Sequence, residues 1–550
     1  MPLWAPSGQT QGGAGNRAER WLRSTGPLIL LALATKAGEI WGLALKSFSS
    51  VLAARATRPG EIAITRSRAP YRRTKIVCTV GPATETIEQI RALFAAGMDV
   101  ARLNFSHQTI DWHRERAAMI RDVATQAGCP IGILQDLPGP KIRVGNFPDG
   151  PVELKAGQEF VLMTDGADGN IHGVSVNQKA LVGAVEPGDP VLLADGAIRL
   201  RVIRIEDGAV VCEVAVGGKL GSRKGVNLPT RTLALPAMTD YDYEALAAGL
   251  NMGVDFVALS FVRSRDDVEI VRKAMEEHGR RVPIIAKIEK HEALDNLDGI
   301  IEAVDAVMVA RGDLAVEIPL WEVPQAQKRV IRAANEAAKP VITATQMLLS
   351  MVASPRPARA ETSDVANALY DGTDAIMLSE ETAVGSYPVE AVEVMAKICV
   401  ATEQELCQPG SYRPLPAHRR HLVPDAVAAA ACMVARHLGA TALLVPTRTG
   451  STAIKVGACR PSQPIVAIGT HLDTVARMTL VWGVLPIYGE ELLTHESMLL
   501  EAERRAEAAG LINKGDLLVI TAGFPVGGPG STNTVTVKTA GEQLSTINPD

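Results

Sequence analysis

The sequence has 550 residues, which at about 100–200 residues per domain suggests three or four domains. Its 56 Lys and Arg residues against 61 Asp and Glu residues give a formal net charge of −5, which is too balanced for a nucleic-acid coat protein or a polybasic membrane-surface binder. With 47% hydrophobic and 21% charged residues, the chain is too apolar for wholesale disorder, and no segment reaches the roughly 18 apolar residues of a membrane span.

Residues 1–72 differ in composition from the rest of the chain. Arg17, Arg20 and Arg23 precede an apolar stretch at 27–34, which superficially imitates a secretory signal, but polar residues soon interrupt it. We expect a poorly ordered N-terminal extension or a start site assigned too far upstream. The seven cysteines are scattered and never spaced C-x-x-C, which disfavours a zinc ribbon or a disulfide framework and favours a reducing cytoplasm.

From residue 73 onward, short β-branched runs alternate with amphipathic stretches, which predicts βα units around a parallel sheet. The predicted strands are 73–80, 99–104, 130–136, 255–261, 283–289, 305–311, 340–345 and 374–379. Eight strands in one series of βα units predict a closed TIM (β/α)8 barrel, built from residues 73–140 and 236–405.

Two further regions flank or interrupt the barrel. Residues 141–235 alternate at strand period without a convincing helix, which predicts an inserted all-β domain, a small β-barrel. After a Pro-rich connector, residues 410–550 return to an α/β rhythm with four predicted strands. We therefore expect a C-terminal doubly wound α/β domain.

The chemistry of a TIM barrel lies at the C-terminal ends of its strands. The predicted strand ends carry Arg102 and Asn104, Asp136, Lys287 and Glu289, Arg311-Gly312-Asp313, Thr345, and Ser379 with Glu381 beyond it. A single polar residue at such a place is more often a surface charge than a functional group. So many consistent placements predict one shared site at the mouth of the barrel.

The residue types indicate the kind of chemistry. Glu289 and Asp313 are hard oxygen ligands from adjacent strands, few enough to leave Mg²⁺ positions for water and phosphate. Strand period places Lys287 and Glu289 on the same face, where the ammonium and a divalent cation would stabilise negative charge on a substrate oxygen. Arg102 and Arg143 offer fork-shaped donors for phosphate or carboxylate. These residues alone predict Mg²⁺-assisted chemistry on a small anion; the alternative is that Lys287 and Glu289 form a buried structural ion pair.

From about residue 73 to its C terminus, the sequence resembles the pyruvate kinase family. The resemblance is carried by KIVCTVGPAT at 75–84, DVARLNFSH at 99–107, KGVNLP at 224–229, IIAKIEKHEAL at 284–294, VMVARGDLAVEIP at 307–319, ATQML at 344–348 and IMLSEETAVGSYPVEAV at 376–392. It implies transfer of the phosphoryl group of phosphoenolpyruvate to ADP, giving pyruvate and ATP in the last step of glycolysis. It also implies that the β insert acts as a lid and that the C-terminal domain is regulatory.

Carried over position by position, the resemblance implies the following roles. Glu289 and Asp313 would bind the divalent cation, Mg²⁺ or alternatively Mn²⁺. Lys287 would stabilise the enolate leaving group, and Arg102 would clamp the moving phosphoryl group. Thr345 and the amides of Gly312 and Asp313 would hold the substrate carboxylate.

The resemblance further implies a nucleotide site and a proton donor. His107, Arg143 and Lys224 would line the nucleotide site, and Asp195 of the lid would face it. Thr345 and Ser379 are both candidates for the relay that protonates the enolate.

The sequence departs from the family pattern around a monovalent-cation site. Many members bind K⁺ through Asn, Ser, Asp and Thr; Asn104, Ser106 and Asp136 match the first three, but Leu137 stands at the Thr position. Lys141 replaces a Glu of K⁺-dependent members, and its ammonium could take the place of the ion. We expect that K⁺, the family default, is not required here; the alternative is an exposed Lys141 and weak K⁺ binding. Glu380 stands where members of the family usually have Gly, and we assign no function to this difference.

The C-terminal domain contains a candidate effector loop. Its residues are Thr447, Arg448, Thr449, Gly450, Ser451 and Thr452, whose hydroxyls and amides join a predicted strand to a predicted helix. The resemblance implies binding of a phosphorylated sugar or AMP, although such loops are often simple turns. It also implies a homotetramer, and we expect neither nucleic acid nor membrane as a partner.

Two other functions remain open at this point. A catalytically inactive metabolite sensor would be expected to lack Lys287, Glu289 or Asp313, and all three are present. Another barrel enzyme could perform carbon–carbon chemistry on phosphoenolpyruvate or oxoacids, but it would not need a β lid that carries Lys224.

Overall fold

The computed structural model describes residues 71–229, 231, 233, 235–407, 422–491, 494–524 and 532–542. The predicted N-terminal extension and most of the Pro-rich connector lie outside the described residues. Within the described part, no helix has the length and apolar character needed to cross a lipid bilayer.

The first part of the barrel contains three strands and two helices. They are β1 (Lys75–Thr79), α1 (Ile87–Ala96), β2 (Val100–Asn104), α2 (Ile110–Ala127) and β3 (Gly132–Asp136), with a 3₁₀ turn at Pro82–Thr84. Helix α1 begins at a capping box in which the amide of Gln89 donates to Thr86 Oγ1 and the Gln89 side chain accepts from the Thr86 amide.

The insert that follows is mostly sheet. Its elements are β4 (Val152–Leu154), β5 (Glu159–Met163), β6 (Gly173–Ser175), α3 (Leu181–Ala184), β7 (Pro190–Leu193), β8 (Ile198–Glu206), β9 (Ala209–Val216), β10 (Gly218–Leu220) and β11 (Val226–Asn227). Six strands form one sheet in the order β11-β7-β8-β9-β5-β6, and β10 pairs with β4. Buried and exposed residues alternate along the first half of β8, as expected for a strand with one face on a core.

The second part of the barrel resumes the βα rhythm. Its elements are α4 (Asp240–Met252), β12 (Phe256–Leu259), α5 (Arg265–Glu277), β13 (Ile284–Ile288), α6 (His291–Asp295), α7 (Leu297–Ala303), β14 (Ala306–Ala310), α8 (Arg311–Leu314), α9 (Val323–Glu336), β15 (Val341–Ala344), α10 (Arg359–Asp371), β16 (Ala375–Leu378), α11 (Glu380–Ala383) and α12 (Pro388–Leu406), with 3₁₀ turns at Leu320–Glu322 and Leu349–Val352.

The eight barrel strands close into a ring in the order β1-β16-β15-β14-β13-β12-β3-β2, and all neighbours are parallel. One apolar cluster lies between the strands and the helices, and a second fills the ring interior with residues such as Val77, Ile285 and Met308. The predicted TIM barrel and its mostly-sheet insert are therefore confirmed, but the described strands of the insert form a six-stranded and a two-stranded sheet with one short helix, not the all-β barrel that was expected. The topology of the TIM barrel places the C-terminal ends of all eight strands at one mouth.

The C-terminal region is an α/β layer. Its elements are α13 (Val423–Leu438), β17 (Ala442–Thr447), α14 (Ser451–Ala458), β18 (Ile465–Gly469), α15 (Leu472–Arg477), a 3₁₀ turn at Met478–Leu480, β19 (Val484–Tyr488), α16 (His495–Ala508), β20 (Leu517–Gly523) and β21 (Thr532–Thr539). The sheet order is β19-β18-β17-β20-β21, with β21 antiparallel to β20. The predicted α/β fold is confirmed, and β21 is an edge strand that the sequence analysis did not predict.

The C-terminal region packs against the N-terminal ends of the barrel strands. Leu480 is 1% exposed and joins the apolar cluster of the ring interior beside Val77 and Val100. The Lys75 ammonium, at the start of β1, donates to the Val484 carbonyl at 2.6 Å. This end of the barrel is therefore closed by packing, and the opposite mouth is the end available for chemistry.

Candidate active site

A buried ion cluster lies where β2, β3 and β13 end. Lys287 Nζ is 2.9 Å from Glu289 Oε1, 3.2 Å from Asp136 Oδ1 and 2.8 Å from Ser260 Oγ. Arg102 Nε lies 2.7 Å from Asp136 Oδ2. Asp136 thus pairs with both cations, which fixes the lysine and the arginine at neighbouring positions of the mouth.

The charges in this cluster set the protonation states. Burial alone lowers the pKa of Lys287, but Asp136 and Glu289 outweigh it and hold that pKa above its ordinary value. Burial raises the pKa of Asp136, yet Lys287 and Arg102 bring it below the usual range. Burial raises the pKa of Glu289, with the nearby charge of Asp313 adding to the effect. Lys287 is therefore a permanent positive charge.

Glu289 and Asp313 fit a divalent cation. Glu289 is fully buried; its Oε2 accepts from the Phe261 amide at 2.8 Å, while its Oε1 pairs with the Lys287 ammonium at 2.9 Å without a well-aligned hydrogen bond from the described residues. The charge of Asp313 helps to raise the pKa of Glu289, so the two carboxylates repel each other, and a cation beside them would relieve that repulsion. Hard oxygen ligands of this kind are those that Mg²⁺ and Mn²⁺ prefer.

Lys141 lies beside these carboxylates. Its ammonium is 2.9 Å from Asp313 Oδ1 and 3.8 Å from Asp195 Oδ1 on the insert. Burial raises the pKa of Asp313, but Lys141 and Lys287 together hold it below the ordinary value. Lys141 therefore adds a fixed positive charge next to the candidate metal ligands.

A pair of hydroxyl and amide donors lies across the mouth, between β14 and β15. The Gly312 amide donates to Thr345 Oγ1 at 2.8 Å, and that hydroxyl donates to the Ala344 carbonyl at 2.6 Å. Nearby, Ser379 Oγ is buried without a hydrogen-bond partner in the described residues, while the Ser379 amide donates to Glu381 Oε2 at 2.7 Å. Hydroxyl and amide groups of the kind that bind small anions thus lie at adjacent strand ends.

The residues assigned to the nucleotide site lie on the barrel loop after β2 and on the insert. Partial burial lowers the pKa of His107, and Arg143 and Arg102 lower it further, which keeps the imidazole neutral. Arg143 Nη1 donates to the Arg223 carbonyl at 3.1 Å. The Lys224 side chain is exposed.

The insert also touches the barrel directly: Asn227 Nδ2 donates to Glu317 Oε1 at 2.9 Å. Asp195, which faces Lys141, has a φ of 54° in the turn between β7 and β8. The insert and the mouth are thus joined by polar contacts at two places, between Asn227 and Glu317 and between Lys141 and Asp313.

The candidate monovalent-cation residues make two separate sets of contacts: Asn104 and Ser106 bond to each other, whereas Asp136 pairs with the two cationic side chains described above. Asn104 Oδ1 accepts from the Ser106 amide at 3.1 Å, which turns the loop after β2. Asp136 is engaged with Lys287 and Arg102. Leu137 is buried and offers no side-chain oxygen.

The candidate effector loop connects β17 to α14. The Gly450 amide donates to Thr447 Oγ1 at 3.0 Å, and the Ser451 amide donates to Thr449 Oγ1 at 3.4 Å. Thr452 Oγ1 lies 2.6 Å from Thr532 Oγ1, and Arg448 Nε lies 3.5 Å from Glu491 Oε1. These contacts order the loop around its own hydroxyls.

The sequence analysis missed two residues, Ser260 and Thr79, whose hydroxyls hold Lys287 and Arg102 in place. Ser260 accepts a hydrogen bond from Lys287 and donates to the Leu137 carbonyl at 2.7 Å. Thr79 Oγ1 accepts from Arg102 Nη1 at 2.9 Å. Both stand at the ends of predicted strands, so the rule that singled out Lys287 and Arg102 could have found them.

Comparison with known proteins gives concordant matches. The family model for the barrel domain of pyruvate kinase matches residues 71–392, and the model for its alpha/beta domain matches residues 425–538. Pyruvate kinase 2 of Synechocystis sp. is 46% identical over 471 residues, which cover 85% of this chain and 79% of the relative. The pyruvate kinase of Geobacillus stearothermophilus is 44% identical over 477 residues (86% and 81%), and that of Mycobacterium tuberculosis is 43% identical over 471 residues (86% and 99%).

Proposed function

The chain belongs to the pyruvate kinase family, and on that premise we propose how its own residues perform the reaction. It is a phosphotransferase that moves the phosphoryl group of phosphoenolpyruvate to ADP and gives pyruvate and ATP, the last step of glycolysis. The observation that carries the proposed roles is the buried cluster of Lys287, Glu289 and Asp136 at the barrel mouth.

Lys287 stabilises the enolate oxygen that develops as the phosphoryl group leaves. Its ammonium remains charged because Asp136 and Glu289 hold its pKa high. Arg102, oriented by Asp136 and Thr79, donates to the oxygens of the moving phosphoryl group. Phosphoryl transfer depends mostly on positioning and charge stabilisation, so these fixed charges supply what the reaction needs.

Members of the family use a divalent metal ion and usually K⁺. For this chain we propose Mg²⁺, with Mn²⁺ as an alternative, held by Glu289 and Asp313; when bound, it neutralises charge on the substrate oxygens. The amides of Gly312 and Asp313 and the Thr345 hydroxyl hold the substrate carboxylate. Thr345 and Ser379 are the candidates for delivering a proton to the enolate carbon.

ADP binds between the barrel and the insert, against His107, Arg143 and Lys224, with Asp195 facing the site. The contacts from Asn227 to Glu317 and from Lys141 to Asp313 support a lid that closes over the mouth. Closure would exclude water, which otherwise competes with ADP as acceptor.

K⁺ is not required, because Lys141 supplies a fixed monovalent cation. Its 2.9 Å contact with Asp313 supports this role, since it puts positive charge beside the proposed metal ligands. Assays in potassium-free tetramethylammonium buffer test the proposal. Full activity there is expected, and a collapse that added K⁺ reverses would contradict it.

The proposals about regulation and about oligomeric state rest on what is usual in the pyruvate kinase family. The regulatory domain comprises residues 410–550, and its loop Thr447–Thr452 binds a phosphorylated sugar or AMP. The lid comprises residues 141–235. The catalytic barrel comprises residues 73–140 and 236–405. The chain assembles as a homotetramer in the cytoplasm. Titration with sugar monophosphates, AMP and fructose 1,6-bisphosphate tests the loop, and unchanged substrate saturation curves would leave it a simple turn.

A lactate-dehydrogenase-coupled assay tests the activity as a whole. Pyruvate should form only when phosphoenolpyruvate, ADP and the divalent cation are all present, with one ATP per pyruvate. An inactive sensor would give no turnover, and a carbon–carbon enzyme would consume phosphoenolpyruvate without forming ATP. Either result would overturn the assigned roles.

A further inference from the structure

Arg311 connects two strand ends at the barrel mouth. It is the first residue of α8, directly after β14, and its guanidinium reaches the end of β15. Nη2 donates to the Thr345 carbonyl at 2.8 Å, and Nε donates to the Ala344 carbonyl at 3.3 Å. Nη1 lies 2.6 and 2.8 Å from the two carboxylate oxygens of Asp364 on α10. One side chain, 14% exposed, thus joins β14, β15 and α10.

The backbone that Arg311 contacts has an unusual conformation. Thr345 has a φ of 70° and Gln346 a φ of 54°. This left-handed region is rare for residues with a side chain and rarest for β-branched ones such as Thr. It persists only where the surroundings hold it, and such positions cluster at functional sites. The carbonyl of Thr345, which lies at this bend, accepts from Arg311.

The bend determines where the Thr345 hydroxyl lies. In this conformation Oγ1 contacts the Gly312 amide, one residue after Arg311. The hydroxyl and the amide are the groups proposed above to hold the substrate carboxylate. Arg311 itself is engaged with two carbonyls and a carboxylate and therefore acts through the groups it holds. The Gly312 amide and the Thr345 hydroxyl also donate within the protein here, and a substrate carboxylate would share or replace those bonds.

We propose that Arg311 is a positioning residue for phosphoenolpyruvate: its guanidinium holds Thr345 in the left-handed conformation and so sets the Thr345 hydroxyl and the Gly312 amide against the substrate carboxylate. The inference rests on the proposed function and adds a specificity element to that site. Lysine cannot replace Arg311 fully, because one ammonium cannot span the carbonyls and the carboxylate as a planar fork does.

The test compares Arg311→Met, Arg311→Lys and a control, Arg272→Met. Arg272 of α5 also donates to a backbone carbonyl, that of Ala303, but at the opposite end of β14, and it is 27% exposed. Equilibrium binding of phosphoenolpyruvate and of ADP is measured separately with Mg²⁺ present, together with the thermal midpoint Tm. We expect Arg311→Met to raise the Kd for phosphoenolpyruvate at least tenfold and that for ADP less than twofold. Arg311→Lys should recover part of the loss, and Arg272→Met should change neither Kd.

Two results would overturn the inference: an unchanged Kd for phosphoenolpyruvate in Arg311→Met, or an equal loss of both ligands with a lowered Tm, which indicates a merely structural role. If Arg311→Met does not fold, Asp364→Asn decides, because it removes the charge that holds Nη1 while leaving the carbonyl contacts. It should weaken phosphoenolpyruvate binding selectively by a smaller factor, and unchanged binding contradicts the inference. A wild-type chain that binds no phosphoenolpyruvate would overturn the proposed function itself.

Discussion

The ammonium nitrogen of Lys287 lies 2.9 Å from a carboxylate oxygen of Glu289, and both side chains are almost fully removed from water. Together with Asp136, Glu289 more than offsets the cost of burying the ammonium, so the lysine pKa rises although burial opposes it. Lys287 therefore stays protonated near neutral pH. The role proposed for it, stabilising negative charge on a substrate oxygen, requires only a fixed positive charge.

Lys287→Met should lower kcat by roughly two to three orders of magnitude, the scale of losing one group that stabilises transition-state charge. Lys273→Met is a control for the loss of a lysine charge, because Lys273 lies on α5 with its side chain 77% exposed and only a 3.9 Å contact with Glu277. Its kcat should stay within a few-fold of wild type. Steady-state assays with both substrates saturating measure the difference, and near-normal turnover of Lys287→Met would refute the role.

Lys141→Met should make the enzyme dependent on added K⁺. Without the ammonium beside Asp313, activity in tetramethylammonium buffer should fall about tenfold or more, and K⁺ should restore part of it. Lys219→Met, an exposed lysine on strand β10 of the insert, controls for loss of charge. Equal K⁺ responses of wild type, Lys141→Met and Lys219→Met would show that Lys141 has no part in cation use.

The barrel could be predicted because each strand is a short apolar run that ends in polar residues. Lys287 and Glu289 illustrate the point: strand period alone puts them on one face, and the structure has their side chains in contact. The same rule, applied to the end of β3, two strands away in the ring, reaches Asp136, whose side chain contacts Lys287.

Other features depend on register between distant segments and leave no local pattern. The contact of Arg311 with the Thr345 carbonyl joins residues 34 apart in sequence, and it exists only because β14 and β15 pair in parallel. The left-handed φ of Thr345 contradicts the preference of its side chain, so local propensity predicts the wrong conformation. Strand β21, by contrast, does carry a local signal, since its alternating Thr and Val residues favour a strand, and the sequence analysis overlooked it.

Leu480→Ala should destabilise the protein, because Leu480 extends from the C-terminal region into the barrel interior. It is 1% exposed and packs with Val77 and Val100. Removing its side chain should leave a cavity and lower the free energy of unfolding by about 2–4 kcal/mol, measured by urea denaturation. Leu438→Ala, at a position 46% exposed, should cost less than about 1 kcal/mol. Similar losses for the two variants would contradict the packing role.

His113 is a buried imidazole that should make stability depend on pH. It is 1% exposed and stacks on Phe105 with 4.1 Å between ring centroids. Its Nε2 lies 2.9 Å from the His107 carbonyl and must donate to it, so Nδ1 is unprotonated, and no described group bonds to it. Burial lowers the pKa of His113 to about 4.

The unfolded chain takes up a proton at this imidazole near pH 6.5, whereas the folded chain does so only near pH 4, so acid favours the unfolded state. The stability from neutral His113 is complete above pH 6.5 and is lost as the pH falls toward 4, by about 2 kcal/mol at pH 5. His113→Gln, whose amide can still donate to the His107 carbonyl, should lose less stability than wild type between pH 7 and pH 5. His172→Gln, an exposed control on the insert, should follow wild type. Thermal unfolding of wild type, His113→Gln and His172→Gln at pH 7 and pH 5 measures the difference. Equal losses of stability in the three proteins would mean that His113 titrates normally and that its contact with Phe105 does not exclude the proton.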